Sequence, residues 1–181
     1  MLTRRSRSER NEHHNGMSTT MNHETGNGVA RTNGIVIVDH GSRRDESNAM
    51  LEEVTRLFGQ RFREQYEIVE PAHMELAEPS IGTAYARCVA RGATRIIVCP
   101  FFLGPGKHWT GDIPRITADA AAEFPQTEYH ISMPLGIDDL ILELLAKRAA
   151  FCVEHDYRCD SCRGTMRSGE MPIAGSGVVK L

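Results

Sequence analysis

The sequence predicts an α/β domain in which a four-stranded parallel sheet is flanked by helices. Short apolar runs rich in β-branched residues alternate with segments whose apolar residues recur at helical spacing. This alternation repeats four times between about residues 34 and 155, and strand-then-helix units in series are typical of parallel sheets covered on both faces. The 40% hydrophobic content is sufficient for one core.

The strands are predicted where these apolar runs end at proline or at polar residues. Residues 35–38 form a continuous β-branched run, which is expected of a strand buried on both faces of a parallel sheet. Residues 68–73, 95–99 and 129–133 are expected to form the second, third and fourth strands.

Four helices are predicted after these strands. Their approximate ranges are 46–66, 79–91, 112–124 and 137–155. A loop rich in glycine and proline, 103–111, is expected between the third strand and the third helix.

Composition argues against several classes of protein. A net charge of −3 and 6% aromatic residues, without a basic stripe, disfavour a nucleic-acid binder. Since no apolar run approaches the roughly 20 residues that span a bilayer, no membrane partner is expected. The odd number of cysteines, five, and the lack of a secretory signal indicate a reducing compartment, so a cytoplasmic location is expected.

The two ends of the chain are expected to lie outside the domain, which is assigned to residues 34–155. Residues 1–33 are polar and lack an apolar signal segment, which predicts a disordered extension. Their arginine- and serine-rich start keeps a plastid transit peptide open as an alternative, although the acidic residues count against it. Residues 156–181 are irregular and predict a flexible tail that contains cysteines.

Polar side chains follow three of the predicted strands. His40 follows the first strand, His73 and Glu75 follow the second, and His108 lies in the loop after the third. Because ligands bind beyond the carboxyl ends of parallel strands, these residues are expected at one edge of the sheet. Imidazoles with a carboxylate suit a labile divalent metal such as Fe²⁺, Co²⁺ or Zn²⁺. A histidine taken alone is more often a hydrogen-bonded structural residue, and the combination at three strand ends makes the two interpretations about equal.

Four motifs, in this order, resemble the small sirohydrochlorin chelatases of sirohaem and cobalamin synthesis. They are Val38-Asp39-His40-Gly41-Ser42-Arg43, Glu75-Leu76-Ala77-Glu78-Pro79-Ser80-Ile81, Pro100-Phe101-Phe102-Leu103 with Gly106-Lys107-His108, and Asp112-Ile113-Pro114. Within that family, residues 70–75 and the cysteine-bearing tail are most similar to plant-type sirohydrochlorin ferrochelatases.

The resemblance implies a chelatase-like three-layer domain, a homodimer, and insertion of Fe²⁺ into sirohydrochlorin to make sirohaem with release of two protons. It implies metal binding by His40 and His108, which are then also expected to accept the displaced protons. Glu75 is expected to orient an imidazole, take a proton or contact the macrocycle. His73 is not carried over as a ligand; a core position or a supporting position beside the site is expected.

The resemblance also implies a substrate-contacting loop. Its members are Leu103, Gly104, Pro105, Gly106, Lys107 and His108. Sirohydrochlorin is a polycarboxylate, so the cations Arg43, Arg44, Lys107 and Arg115 are candidates for its carboxylates. Solvated surface charge is the alternative for each of them.

Cys152, Cys159 and Cys162 form a second feature near the C-terminus. Thiolates at such spacing can hold zinc or an iron–sulfur cluster, and the resemblance implies a [2Fe-2S] cluster. The sequence departs from the family pattern because the next expected cysteine is replaced near Ser168. Unmetallated thiols or a redox pair remain alternatives.

Other functions stay open from sequence alone. Cobalt is the closest alternative metal, because two histidines do not select among first-row divalent ions. With cobalt, the chain would be a sirohydrochlorin cobaltochelatase. A metal carrier without catalysis would keep the histidines without needing the loop at 103–108. A flavodoxin-like phosphate binder fits poorly, because 40–43 is not a Ser/Thr/Gly phosphate loop.

Overall fold

The computed structural model describes residues 31–104 and 106–155. Four strands form one sheet in the order β2-β1-β3-β4, and every neighbouring pair is parallel. The strands are β1 (Asn33–Asp39), β2 (Ile68–His73), β3 (Arg95–Pro100) and β4 (Glu128–Ile131). The helices are α1 (Asp45–Arg61), α2 (Ile81–Ala90), α3 (Ile113–Ala122) and α4 (Asp139–Glu154), and a π-helical turn, His108–Asp112, precedes α3. The predicted fold class is confirmed.

The central strand β1 contributes side chains to both faces of the sheet. Val36 and Val38 are fully buried in the cluster that contains the apolar residues of α2 and α3. Ile35 and Ile37 point to the opposite face, where they pack with Leu51 of α1. Because successive strand residues alternate between faces, the continuous apolar run supplies two helix layers at once.

Two helix boundaries differ from the sequence prediction. The helix predicted over 46–66 ends at Arg61, and Tyr66 packs beside Phe58 with ring centroids 5.8 Å apart. The apolar spacing therefore continues past the helix because the following turn also contributes to the core. The third helical segment begins before 112, because the Gly106 carbonyl accepts hydrogen bonds from the Thr110 amide at 3.0 Å and from its hydroxyl at 3.1 Å.

Helix α4 stands apart from the packed layers. None of its residues is buried, although most of its side chains are apolar. Leu140, Leu142, Leu144, Leu145 and Val153 are exposed by 46% or more. A helix with so wide an apolar surface is usually covered on most sides, so this surface is available to a further element or a partner.

Among residues 31–104 and 106–155, no helix combines the length and the apolar character that a bilayer crossing requires.

Candidate metal and tetrapyrrole site

The predicted site residues converge at the carboxyl edge of the sheet. His40 directly follows β1, Glu75 follows β2, and His108 lies in the π-helical turn after β3. The register explains the convergence, since Asp39 of β1 pairs with His73 of β2 and Val38 pairs with Pro100 of β3. Three segments that are distant in sequence therefore leave the sheet side by side.

His40 is the centre of this group. Its Nε2 lies 2.8 Å from Oε1 of Glu75, and its ring centroid lies 5.1 Å from that of His108, with the two rings at 75° to each other. The three side chains are exposed by 41%, 53% and 45% for His40, Glu75 and His108. The arrangement is thus open toward solvent.

The described residues contain no group of three or more His, Cys, Asp or Glu side chains that could by themselves enclose a metal ion. Two imidazoles beside a carboxylate match the donor types that first-row divalent ions accept. Incomplete protein coordination distinguishes a catalytic or transfer site from a closed structural one. The described geometry therefore brings together donor types that suit a divalent ion without forming a closed metal cluster.

Gly41 allows the His40 and Glu75 segments to lie against each other. Its φ is +81°, and a Cβ built on it would lie 2.0 Å from the carbonyl oxygen of Glu75. Backbone amides extend the strand pairing beyond the sheet, from Met74 to the Asp39 carbonyl at 2.9 Å and from Glu75 to the His40 carbonyl at 3.1 Å. Only glycine adopts this conformation and permits this approach without strain.

Asp112 is a partner of His108 that sequence reasoning treated only as part of a motif. Nδ1 of His108 lies 2.9 Å from Oδ2 of Asp112, one helical turn away. A carboxylate on one ring nitrogen orients the other nitrogen toward a metal. The four-residue spacing would have revealed this contact if the segment had been recognised as helical, since i and i+4 side chains are neighbours.

The substrate loop and the candidate cations have the following positions. Leu103 is 67% exposed, Gly104, Gly106 and Lys107 are also exposed, and Pro105 lies outside the described residues. Arg43, Arg44 and Lys107 are exposed and form no ion pair within the described ranges, whereas Arg115 lies 3.4 Å from Asp119.

The described cysteines lie in different environments. Cys88 is buried in the core and burial raises its pKa to about 12, and burial likewise raises the pKa of Cys99. Both therefore stay protonated and act as small core residues. Cys152 is half-buried on α4, while Cys159 and Cys162 lie outside the described residues.

Comparison with known proteins gives consistent results. The family model CbiX matches residues 34–151. A chloroplastic sirohydrochlorin ferrochelatase of Arabidopsis thaliana is 52% identical over 77% of this chain. A sirohydrochlorin cobaltochelatase of Methanococcus maripaludis is 31% identical over 64% of this chain and 96% of its own length.

The solved structure of SirB from Bacillus subtilis with Fe³⁺ superposes with a TM-score of 0.58 and 31% identity, over 65% of this chain and 46% of that one. The chain spans 63% of the length of the Arabidopsis protein. The family model nevertheless covers well over half of this chain, including all three converging side chains. The chain therefore belongs to the CbiX family.

Proposed function

We propose that this chain is a sirohydrochlorin ferrochelatase, which inserts Fe²⁺ into sirohydrochlorin to give sirohaem and two protons. The observation that carries the proposal is the contact of His40 with both Glu75 and His108 at an open sheet edge. The 52% identity to a sirohydrochlorin ferrochelatase supports the same substrate and metal.

In the proposed reaction Fe²⁺ is a substrate, held by His40 and His108 beside the face of the macrocycle. As the ion enters the ring, two pyrrole N–H protons must leave and two N–Fe bonds form in their place. The two imidazoles lose the ion at this step and can then take one pyrrole proton each, and Oε1 of Glu75, 2.8 Å from Nε2 of His40, lies where it can accept the proton that His40 receives. Asp112 holds the ring of His108 in one orientation during this exchange.

The substrate carboxylates need cations at the rim of the site. Arg43, Arg44 and Lys107 are exposed and are assigned this role, with the loop at 103–108 contacting the macrocycle. Arg115 is a weaker candidate, because Asp119 already lies beside its guanidinium. A flat ligand can approach the loop closely, since a Cβ at Gly104 or Gly106 would meet no atom within 4 Å.

The proposal is tested by mixing the full chain anaerobically with sirohydrochlorin and Fe²⁺ and recording the macrocycle absorbance. We expect multiple turnovers. We expect His40→Ala and His108→Ala each to lower the rate by at least about 10–100-fold, the loss that removing even a supporting partner of a metal ligand causes. His130→Ala is the matched control, because His130 is an exposed histidine on β4. Near-normal insertion by either site variant would contradict the assignment.

Cobalt insertion is the second candidate function, which the Methanococcus maripaludis relative supports. The same assay with Co²⁺ in parallel decides between the metals by comparing kcat/KM. A non-catalytic carrier would bind the metal but give no more than one equivalent of product per chain, so the turnover number separates it from an enzyme.

We infer a homodimer from the surface of α4. Its apolar residues are exposed along the whole helix, and a single copy offers only an open edge to a large macrocycle. A second copy packed on α4 would bury this surface. The segments before β1 and after α4 are proposed to be extensions of this domain, whose first strand begins at Asn33, one residue before the predicted boundary.

The tail cysteines carry a separate hypothesis, a [2Fe-2S] cluster. Cys152, Cys159 and Cys162 supply three thiolates where such clusters commonly take four, so the set does not fit without a ligand from elsewhere. Sulfide and iron analysis of anaerobically purified protein tests this, and colourless protein without sulfide removes the hypothesis.

The compartment is also a proposal. The cysteine pattern favours the cytoplasm, and the chloroplastic name of the Arabidopsis relative favours a plastid. Fluorescent protein fused after residues 1–33 distinguishes the two by where the fluorescence accumulates.

A further inference from the structure

A buried histidine lies directly beneath the candidate site. His73, the last residue of β2, has no exposed surface, and its Nδ1 lies 2.6 Å from Oδ1 of Asp39 at the end of β1. A carboxylate oxygen accepts, so the Nδ1–H of His73 donates this bond. The contact therefore links the strand that precedes His40 to the strand that precedes Glu75.

The same carboxylate oxygen holds the turn after His40. The Gly41 amide donates to Oδ1 of Asp39 at 2.9 Å, so one atom accepts from both Gly41 and His73. A Cβ at Gly41 would lie 3.0 Å from Cβ of His73. The side chain of His73 thus packs against the backbone that positions His40.

His73 also anchors the segment that carries Glu75. Its amide donates to the Pro79 carbonyl at 2.8 Å, and it forms an isolated bridge with Ser80. These bonds close the loop of residues 74–79, in which Glu75 is exposed and faces His40. Both elements of the His40–Glu75 contact are consequently tied to His73.

Burying the imidazole of His73 is less favourable than burying an apolar side chain of similar size would be. Nε2 of His73 is buried and has no hydrogen-bond partner among the described residues. An unsatisfied buried polar atom costs about 1–3 kcal/mol, and an apolar side chain of similar size would avoid that cost. The contribution of this imidazole therefore comes through its other nitrogen, Nδ1, which is bonded to Asp39.

We propose that His73 and Asp39 form a buried positioning pair that sets the separation of the His40 imidazole and the Glu75 carboxylate. The inference rests on the proposed function for its reaction, but its direct consequence is affinity for the metal. The pair does not touch metal or macrocycle. Loss of the pair removes the side-chain link between the ends of β1 and β2, while the backbone bond from His73 to Pro79 remains. The turn at Gly41 and the start of the loop at 74–79 then shift relative to each other, so the donor atoms are held less closely together.

Metal affinity of the full chain tests the pair without reference to turnover. Co²⁺ is titrated alone and followed by its visible absorption, and sirohydrochlorin binding is measured separately without metal. His73→Leu removes the Nδ1 donor at similar volume, whereas His73→Asn retains a donor to Asp39. Thr117→Val is the matched control, because Thr117 is also fully buried with an unpartnered side-chain oxygen but lies on α3.

We expect His73→Leu to weaken Co²⁺ binding by about 10–100-fold, the usual effect of removing a supporting partner of a metal ligand. His73→Asn should stay within about threefold of wild type, and neither substitution should alter sirohydrochlorin affinity, while Thr117→Val leaves both affinities unchanged. Equal losses in the Leu and Asn variants, or wild-type affinity in the Leu variant, overturn the proposal.

If His73→Leu does not unfold cooperatively, the variant is not properly folded, and the same comparison is made at Asp39, the hydrogen-bond partner of His73. Asp39→Ala removes the acceptor and Asp39→Asn keeps one, so only the former should lose Co²⁺ affinity. Wild-type protein that binds Co²⁺ but inserts no metal contradicts the proposed ferrochelatase activity. The Co²⁺ affinities of the His73 and Asp39 variants still test the positioning pair in that case. Wild-type protein that binds no Co²⁺ overturns the positioning pair, while the Fe²⁺ insertion assay tests the ferrochelatase separately.

Discussion

At the scale of single residues, Gly41 has the strictest requirement in the site. A Cβ at this position would lie 2.0 Å from the Glu75 carbonyl oxygen, and φ is +81°. We expect Gly41→Ala to lower the free energy of unfolding by at least about 1–3 kcal/mol, because left-handed strain adds to the overlap. Urea unfolding followed by circular dichroism measures the change.

Gly111→Ala is the control for that substitution. Gly111 lies in the π-helical turn, and a Cβ there meets no atom within 4 Å. Its unfolding free energy should equal or slightly exceed that of wild type, since alanine favours helical backbone. A Gly41→Ala protein as stable as the Gly111→Ala protein would show that the loop relaxes freely.

At the scale of elements, the start of α2 depends on a local hydrogen-bond network. Ser80 Oγ accepts from the Thr83 amide at 3.2 Å, and Oε2 of Glu78 accepts from the Ser80 amide at 2.7 Å and from the Thr83 hydroxyl at 3.1 Å. We expect Ser80→Ala to cost about 1 kcal/mol of stability, as an N-cap loss typically does. Thermal unfolding measures this change. Ser47→Ala is the control, because Ser47 lies on the exposed first turn of α1, and this substitution should change stability by less than about 0.5 kcal/mol.

The same network has a pH dependence. The hydrogen bond from the Ser80 amide, followed by that from the Thr83 hydroxyl, lowers the pKa of Glu78 below its ordinary value of 4.5. A lowered carboxyl pKa means that the folded state binds the proton more weakly than the unfolded state. The stabilisation is therefore present above pH 4.5 and is lost as the pH falls through the folded-state value, so Glu78→Gln should flatten the acid limb of the stability profile.

At the scale of the whole molecule, α4 decides the oligomeric state that we propose. Replacing Leu140 and Leu144 together by lysine should convert a dimer to a monomer, because two charges would enter an apolar interface. Light scattering after size exclusion gives the mass directly. Leu57→Lys, an exposed leucine on α1, should leave the mass unchanged. A wild-type monomer would contradict the proposed homodimer.

Local patterns account for most of the predicted fold. The apolar run in β1 and the helical spacing in α1 and α2 led to the correct elements. A strand that is buried on both faces appears as a continuous apolar run, whereas a helix that is buried on one face has apolar residues every three or four positions. The end of α1 was missed because Tyr66 continues the apolar pattern into the next turn. The early start of the third helical segment was missed because glycine and proline favour loops in sequence statistics.

By itself, the sequence determined that an α/β domain would place His40, Glu75 and His108 at strand ends, since the order of the elements along the chain and the polar residues after each strand are encoded locally. Only the tertiary structure decided that these three meet, that Asp112 orients His108, and that His73 is tied to Asp39 beneath them. The physical reason is that these contacts depend on the register between β1, β2 and β3. That register is set by packing across both faces of the sheet, which no single segment specifies.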